Sequence, residues 1–174
     1  MKTRIIAFAS LLNLSIALTG FAKTNASDAK VSIDFGSPSR YTDIEIDGFS
    51  GEREHRIVKE IIQSELERQA ILYLPSGYTL EVSVEDIDFA GYHEPLYPQY
   101  DHVRIMRASY PPRFEFRFAV LDEDQLVIEE GMRSLTDLNY LWRLDLPSRK
   151  QETAYYVRSL LKDWARSELP AAFE

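Results

Sequence analysis

The stretch Asp43-Ile-Glu-Ile-Asp-Gly48, followed by Glu54, carries the sharpest chemical pattern in the chain. In the common calcium loop, oxygens at positions 1, 3, 5 and 12 converge on one ion and a glycine at position 6 permits the turn. On that spacing Asp43, Glu45, Asp47 and Glu54 are candidate calcium ligands, with the carbonyl of Phe49 completing the set. The match is imperfect. Glu45 is longer than the usual Asp or Asn, Ser50 stands where an aliphatic residue is usual, and Pro38 with Tyr41-Thr42 leaves no incoming helix. The plainer reading turns Ile44 and Ile46 inward on an edge strand whose carboxylates face water, ending in an Asp-Gly turn.

Other chemistries are thinly represented. No Gly-x-Ser-x-Gly elbow, no cysteine, no His-Glu-x-x-His and no phosphate-cradling glycine loop is present, so a hydrolase is the weakest reading and the balance leans away from an enzyme. His55 sits at the top of a helical apolar stripe with no nucleophile near it in sequence, which suits a partly buried, satisfied histidine better than a catalyst. His93-Glu94 with His102 matches no standard zinc spacing.

Recognition is the better-supported chemistry. The segment from Gly91 to Pro112 holds four of the ten tyrosines and four of the eight prolines. Prolines 95 and 98 exclude a helix there, leaving a long loop with a short strand at Val103–Met106. Rigid, amphipathic tyrosines on a loop suit a peptide, a glycan or a partner surface, which makes Tyr92, Tyr97, Tyr100 and Tyr110 candidate binding residues. The alternative packs the same rings over the sheet. Asp137, Asn139 and Tyr140, in the segment Leu135-Thr-Asp-Leu-Asn-Tyr-Leu141, are the second candidate group; they equally suit satisfying backbone donors where a strand turns away.

The elements that must position these groups follow from periodicity. Phe114, Phe116, Phe118 and Val120 alternate with Glu115, Arg117 and Ala119, the two-residue period of a strand with one buried face. Asp122-Glu-Asp-Gln125 closes a hairpin with its left-handed position at Gln125. Setting Asp122 opposite Leu126 predicts Val120 opposite Ile128, Phe116 opposite Met132 and Glu115 opposite Arg133, with a bulge at Glu130-Gly131. Val31–Phe35 and Tyr78–Phe89 read as further strands, the second bulged near Glu85-Asp86 where the apolar phase shifts. Glu52–Tyr73 reads as a helix capped by Ser50, with Val58, Ile62, Leu66 and Ala70 on its buried stripe. Ser148-Arg-Lys-Gln151 is a capping box opening a second helix that stops at Pro170. The expected fold is one α+β domain over residues 31–170, in the order β-α-β-β-β-α: a mainly antiparallel four-stranded sheet with two helices packed on one face.

The first residues set an address. Lys2 and Arg4 precede an apolar run from Ile5 to Leu18, the pattern of a signal peptide over residues 1–22, cut after Ala22 or Ala26, with a flexible leader at 23–30. The run is short of the roughly 20 apolar residues that span a bilayer, so no transmembrane segment is expected after cleavage. Removing Lys2 and Arg4 from the 20 basic residues leaves 18 against 28 acidic ones, a formal charge of −10. That surface disfavours nucleic acid and anionic lipid. The periplasm is the expected compartment, and with no cysteine the core alone must hold the fold.

Tyr41-Thr-Asp, Glu52-Arg-Glu, Tyr73-Leu-Pro, Tyr110-Pro-Pro-Arg113, Leu135-Thr-Asp-Leu-Asn-Tyr-Leu141 and Leu161-Lys-Asp-Trp164 together resemble the bacterial domain of unknown function family 3016. The resemblance covers essentially the whole chain after the signal peptide. It implies an exported protein and brings no activity, cofactor or catalytic residue; the family usually places glycine where this chain has Gln125. The leading expectation is a non-enzymatic exported binding or envelope-associated protein using the Tyr/Pro-rich loop, with an unidentified envelope protein, peptide or glycan as partner. A calcium-stabilised domain is the alternative.

Overall fold

Two helices lie on one face of a four-stranded sheet because the strands are apolar on that face alone. The computed structural model describes residues 28–46, 51–93, 104–143 and 154–173. The sheet contains β1 (Lys30–Asp34), β2 (Thr79–Asp88), β5 (Arg113–Leu121) and β6 (Val127–Thr136), in the spatial order β1-β2-β5-β6. Helix α1 (Gly51–Tyr73) connects β1 to β2, which run parallel; a parallel neighbour requires such a crossover. The β2–β5 and β5–β6 pairs are antiparallel. Helix α2 (Tyr155–Glu168) follows β6, and β3 (Tyr92–His93) with β4 (Arg104–Ile105) forms a separate small ribbon. The expected α+β domain is therefore present, with one parallel pair at its edge. Among the described residues no helix is long and apolar enough to cross a membrane.

The core lies between the helices and the apolar sheet face. Phe114, Phe116 and Phe118 of β5 are buried, as are Leu80, Val82, Val84 and Ile87 of β2. Trp164 of α2 sits edge-on against Phe116 (4.8 Å between centroids) and Phe118 (5.2 Å). Each fully buried ring contributes roughly 1.5–3 kcal/mol, so Phe116→Ala alone would remove about 3–5 kcal/mol through lost burial and the cavity left behind. The opposite sheet face is polar, carrying Ser32, Asp34, Glu81, Arg117 and Glu130. In β2 the pairing register shifts between Val84 and Asp86, which places the expected bulge at Glu85 and explains how Ile87 and Phe89 rejoin the buried set.

The hairpin register requires a correction. Its turn closes as expected: Asp122 N–H donates to the carbonyl of Leu126 at 3.0 Å, and Gln125 has φ 62°. Leu121 then pairs with Val127 but Val120 with Glu129, so Ile128 is an extra residue on β6. From there every pair differs by one from the expected register, with Phe118 opposite Gly131, Phe116 opposite Arg133 and Glu115 opposite Ser134. The bulge thus lies at Ile128 rather than at Glu130-Gly131. A one-residue shift exchanges the two faces of a strand, and here it turns Arg133 toward the helices and Met132 toward solvent. Arg133 lies 5.0 Å over the Phe118 ring and its Nε donates to Glu168 of α2 at 2.6 Å. Gly131 makes room for this, since a Cβ there would stand 2.7 Å from Arg133 Nη1 and 3.2 Å from the Phe118 ring.

The two helices hold one polar contact of consequence. Glu65, almost fully buried on α1, accepts from Arg158 Nε of α2 at 3.1 Å and from Gln69 Nε2 at 2.6 Å, and it also pairs with Arg68. Ala154 precedes α2 in the left-handed region and supplies no side-chain cap. The proposed Ser50 cap and the Ser148–Gln151 capping box lie outside the described residues.

Candidate functional site

At the end of the sheet where β2 finishes and β5 begins, the segment Tyr41–Ile46 runs alongside β2 and is fixed residue by residue. The Tyr41 hydroxyl donates to the carbonyl of Phe35. Thr42 gives both its N–H (2.7 Å) and its hydroxyl (2.8 Å) to the Asp86 carboxylate. Asp43 exchanges backbone bonds with β2, donating to Ile87 at 3.0 Å and accepting from Phe89 at 2.9 Å. Burial first, then the charges of Asp34 and Asp86, push the Tyr41 phenol up to about 12.

Arg104 ties this segment to the β3–β4 ribbon. Its Nη1 donates to Asp43 Oδ2 at 2.7 Å and its Nη2 to Asp43 Oδ1 at 2.9 Å, a bidentate pair; the same guanidinium reaches the carbonyls of Gly91 (3.1 Å) and Glu45 (3.0 Å). Gly91 permits the approach. It has φ 84°, and a Cβ there would meet Met106 Sδ at 2.6 Å and the carbonyl of Ile105 at 2.9 Å. Gly91 N–H in turn donates to the carbonyl of Tyr110 at 3.0 Å, bringing both ends of the Tyr/Pro-rich segment together.

The result is a cleft of about 560 Å³, bounded by Tyr41–Glu45 on one side and by Tyr92 and Ser109–Pro111 on the other, with Asp88 and Arg113 among its lining. Tyr92 and Tyr110 stack, with centroids 5.3 Å apart and planes at 30°, and Tyr92 is about half exposed. Asp88 and Arg113 are cross-strand partners. Burial, then the nearby Asp43 and Asp86 carboxylates, raise the Asp88 carboxyl to about 6 against the opposing pull of Arg113 and Arg104. The cleft thus offers a flat aromatic wall, a carboxyl able to hold a proton near neutral pH, a guanidinium and several hydroxyls. That set suits holding a ligand with apolar faces and polar edges.

Two of the proposed binding residues, Tyr92 and Tyr110, therefore meet in the cleft. Tyr97 and Tyr100 lie outside the described residues. Asp137, Asn139 and Tyr140 form the neighbouring turn and do not line the cleft. Tyr140 is fully buried, donates its hydroxyl to the carbonyl of Arg107 at 2.7 Å and meets Tyr156 edge-on, so its ring supports the Tyr110 loop from beneath. Asp137 accepts from Asn139 N–H at 2.9 Å and from Arg143 Nε at 2.5 Å, and Arg143 continues to Asp163 at 2.8 Å. Of the proposed calcium ligands, Asp43 carries Arg104 on both oxygens, and Glu54 accepts the N–H of Ile46 at 2.9 Å. Glu45 offers its carbonyl to Arg104, and Asp47 lies outside the described residues. Among the described residues no group of three or more His, Cys, Asp or Glu is placed to hold a metal ion. His55 is in the first turns of α1 and does not line the cleft.

Sequence reasoning did not single out Asp88, Arg113 or Arg104. None of the three carries a local signal: Arg104 finds Asp43 61 residues away, and Asp88 and Arg113 meet only through strand pairing.

The model of a family described as "Protein of unknown function (DUF3016)" matches residues 29–167. No curated protein matches the chain. Among solved structures, the chain is similar to a PelC dodecamer from Paraburkholderia phytofirmans, at 11% identity, covering 79% of this chain and 86% of that one, with a TM-score of 0.39. A variant of the same protein gives 14% identity, 83% and 86% coverage and a TM-score of 0.40. A minor lipoprotein from Acinetobacter baumannii gives 8% identity, 80% and 88% coverage and a TM-score of 0.29.

Proposed function

This chain belongs to the DUF3016 family, and from that membership and the cleft we propose that it is an exported, envelope-associated binding domain that grips a peptide or glycan segment between Tyr92, Tyr110 and the Asp88–Arg113 pair. The stacked tyrosines are the observation that carries this reading. A partly solvent-facing aromatic pair is costly to leave bare, and this one is held in place by the Gly91 N–H on the Tyr110 carbonyl and by the Tyr140 hydroxyl on the carbonyl of Arg107 in the same loop. Export is supported by the basic-apolar lead over residues 1–22. Either cut leaves Asp28, whose carboxylate accepts the N–H of Gly77 at 2.8 Å and the hydroxyl of Ser76, so this anchor to the sheet would survive processing.

The reading is tested by titrating the purified protein with envelope-derived glycan fragments and, separately, with peptides, following tyrosine fluorescence. Saturable binding by one class is expected, lost in Tyr92→Ala/Tyr110→Ala while the melting temperature holds. Equal binding by that double variant, or none by the native protein to either class, overturns it.

A further inference from the structure

We propose that β6 is a homotypic docking edge, along which two copies of this chain pair antiparallel about Gly131 and join their sheets into one of eight strands. This stands apart from the cleft and from the binding function proposed for it. Among the described residues β6 is the outer strand of the sheet, ten residues long and with none of them buried. Such an edge presents a row of backbone donors and acceptors to any extended chain, and proteins normally blunt it with proline, clustered charge, short length or bulges. The other edge is blunted: β1 has five residues and carries exposed Lys30 and Asp34 at its ends. β6 has no proline, and its bulge at Ile128 sits at one extremity, leaving Glu129–Thr136 regular. Val127, Ile128 and Met132 are roughly half exposed along it.

The charges on β6 select the occupant and the register. Glu129, Gly131, Arg133 and Leu135 face the helices, opposite Val120, Phe118, Phe116 and Phe114. A two-fold axis perpendicular to the sheet keeps all four helices on one side and sets one residue against its own copy. Centring on Glu129, Glu130 or Arg133 sets like charge directly against like charge, which destabilises a cross-strand pair. Centring on Met132 sets Leu135 against Glu129. Centring on Gly131 sets Glu129 against Arg133 twice, once on each side of the axis, and puts the residue without a side chain at the crossing. Arg133 can serve this pair: its Nε holds Glu168 and its Nη1 the carbonyl of Met132, while its Nη2 has no partner among the described residues. The strand is therefore complementary to itself.

Sedimentation of the purified protein over a range of concentrations reads the association. A monomer–dimer equilibrium is expected, and Glu129→Arg, which sets arginine against arginine twice, should weaken it roughly tenfold or more. Register is read by disulfide trapping, since the chain has no cysteine of its own. Glu130→Cys and Met132→Cys stand opposite each other across the axis, so the two proteins mixed and oxidised should form a linked heterodimer faster than either alone. A monomer at every concentration overturns the proposal, as does a dimer that Glu129→Arg leaves intact or a mixture that links no faster than its components. Melting curves of each variant separate lost pairing from lost folding.

Discussion

Arg104 grips both carboxylate oxygens of Asp43 across 61 residues of chain, at 2.7 and 2.9 Å, while reaching the carbonyls of Gly91 and Glu45 with the same guanidinium. The pair is largely covered, with both side chains about 15% exposed (14% and 16%). It fixes the cleft wall to the β3–β4 ribbon, so positioning and stability share one contact.

Arg104→Met should therefore cost about 2–4 kcal/mol, because it strands a covered carboxylate and unmatched carbonyls. Arg104→Lys should recover less than half of that, since an ammonium cannot form the two parallel bonds. Urea unfolding of the three proteins measures both. The same variants should weaken the proposed ligand capture by the Tyr92–Tyr110 wall by more than their stability loss accounts for; equal affinity in Arg104→Met would detach the ribbon from the site.

Asp88 supplies a pH dependence with a definite sign. Its carboxyl titrates near 6 in the folded chain, through burial and the neighbouring Asp43 and Asp86, against an ordinary value of 3.8. The folded state therefore holds this proton more firmly than the unfolded state, so the contribution is fully present below about 4, is lost as pH rises from about 4 to about 6, and is constant above that. Because Asp88 is partly exposed, the change is about 1 kcal/mol after allowance for solvent screening. Asp88→Asn should be more stable than the native protein at pH 7.5 and indistinguishable from it at pH 4; a carboxyl resonance for Asp88 that titrates near 4 would remove the effect.

Much of this fold was legible because its elements are long and regular. Val58, Ile62, Leu66 and Ala70 mark α1, and Phe114, Phe116 and Phe118 mark β5, since both elements bury one face against a full partner. β6 was misread for the converse reason. It is an edge strand with both faces partly wet, so Ile128 and Met132 do not mark the buried side, and Arg133, which does face the helices, looks like a surface residue. Glu65 and Gln69 escaped in the same way, being polar types on the α1–α2 seam. In the site, composition alone pointed to Tyr92 and Tyr110. Asp88, Arg113 and Arg104 became neighbours of those rings only through strand pairing and a contact spanning 61 residues, which no local pattern encodes.

The Glu65–Arg158 contact between the helices should behave as a buried pair whose breaking matters more than its presence. Glu65 is only 2% exposed, whereas the Arg158 side chain is about a third exposed. Arg158→Met should cost about 3 kcal/mol by leaving the carboxylate short of a partner, and Glu65→Met/Arg158→Met should return to within about 1 kcal/mol of the native protein, because methionines of similar length fill the seam without a desolvation cost. A double-mutant cycle in urea checks this; a double variant as unstable as Arg158→Met would show that Arg68 and Gln69 depend on the carboxylate as well.

Gln125 gives the simplest test of the hairpin. It closes the turn at φ 62°, a conformation that costs an L-residue roughly 1–2 kcal/mol and glycine almost nothing. Its side chain faces solvent and makes one long contact, Nε2 to the carbonyl of Asp122 at 3.5 Å, so little is lost by removing it. Part of the gain is offset by the greater freedom of glycine in the unfolded chain. Gln125→Gly should therefore stabilise the protein by about 0.5–1 kcal/mol, raising the melting temperature by a few degrees. Gly131→Ala, on the same hairpin but where a Cβ meets Arg133 Nη1 at 2.7 Å and Phe118 at 3.2 Å, should do the reverse. If both substitutions move the midpoint in the same direction, the register that places Gly131 against Phe118 is wrong.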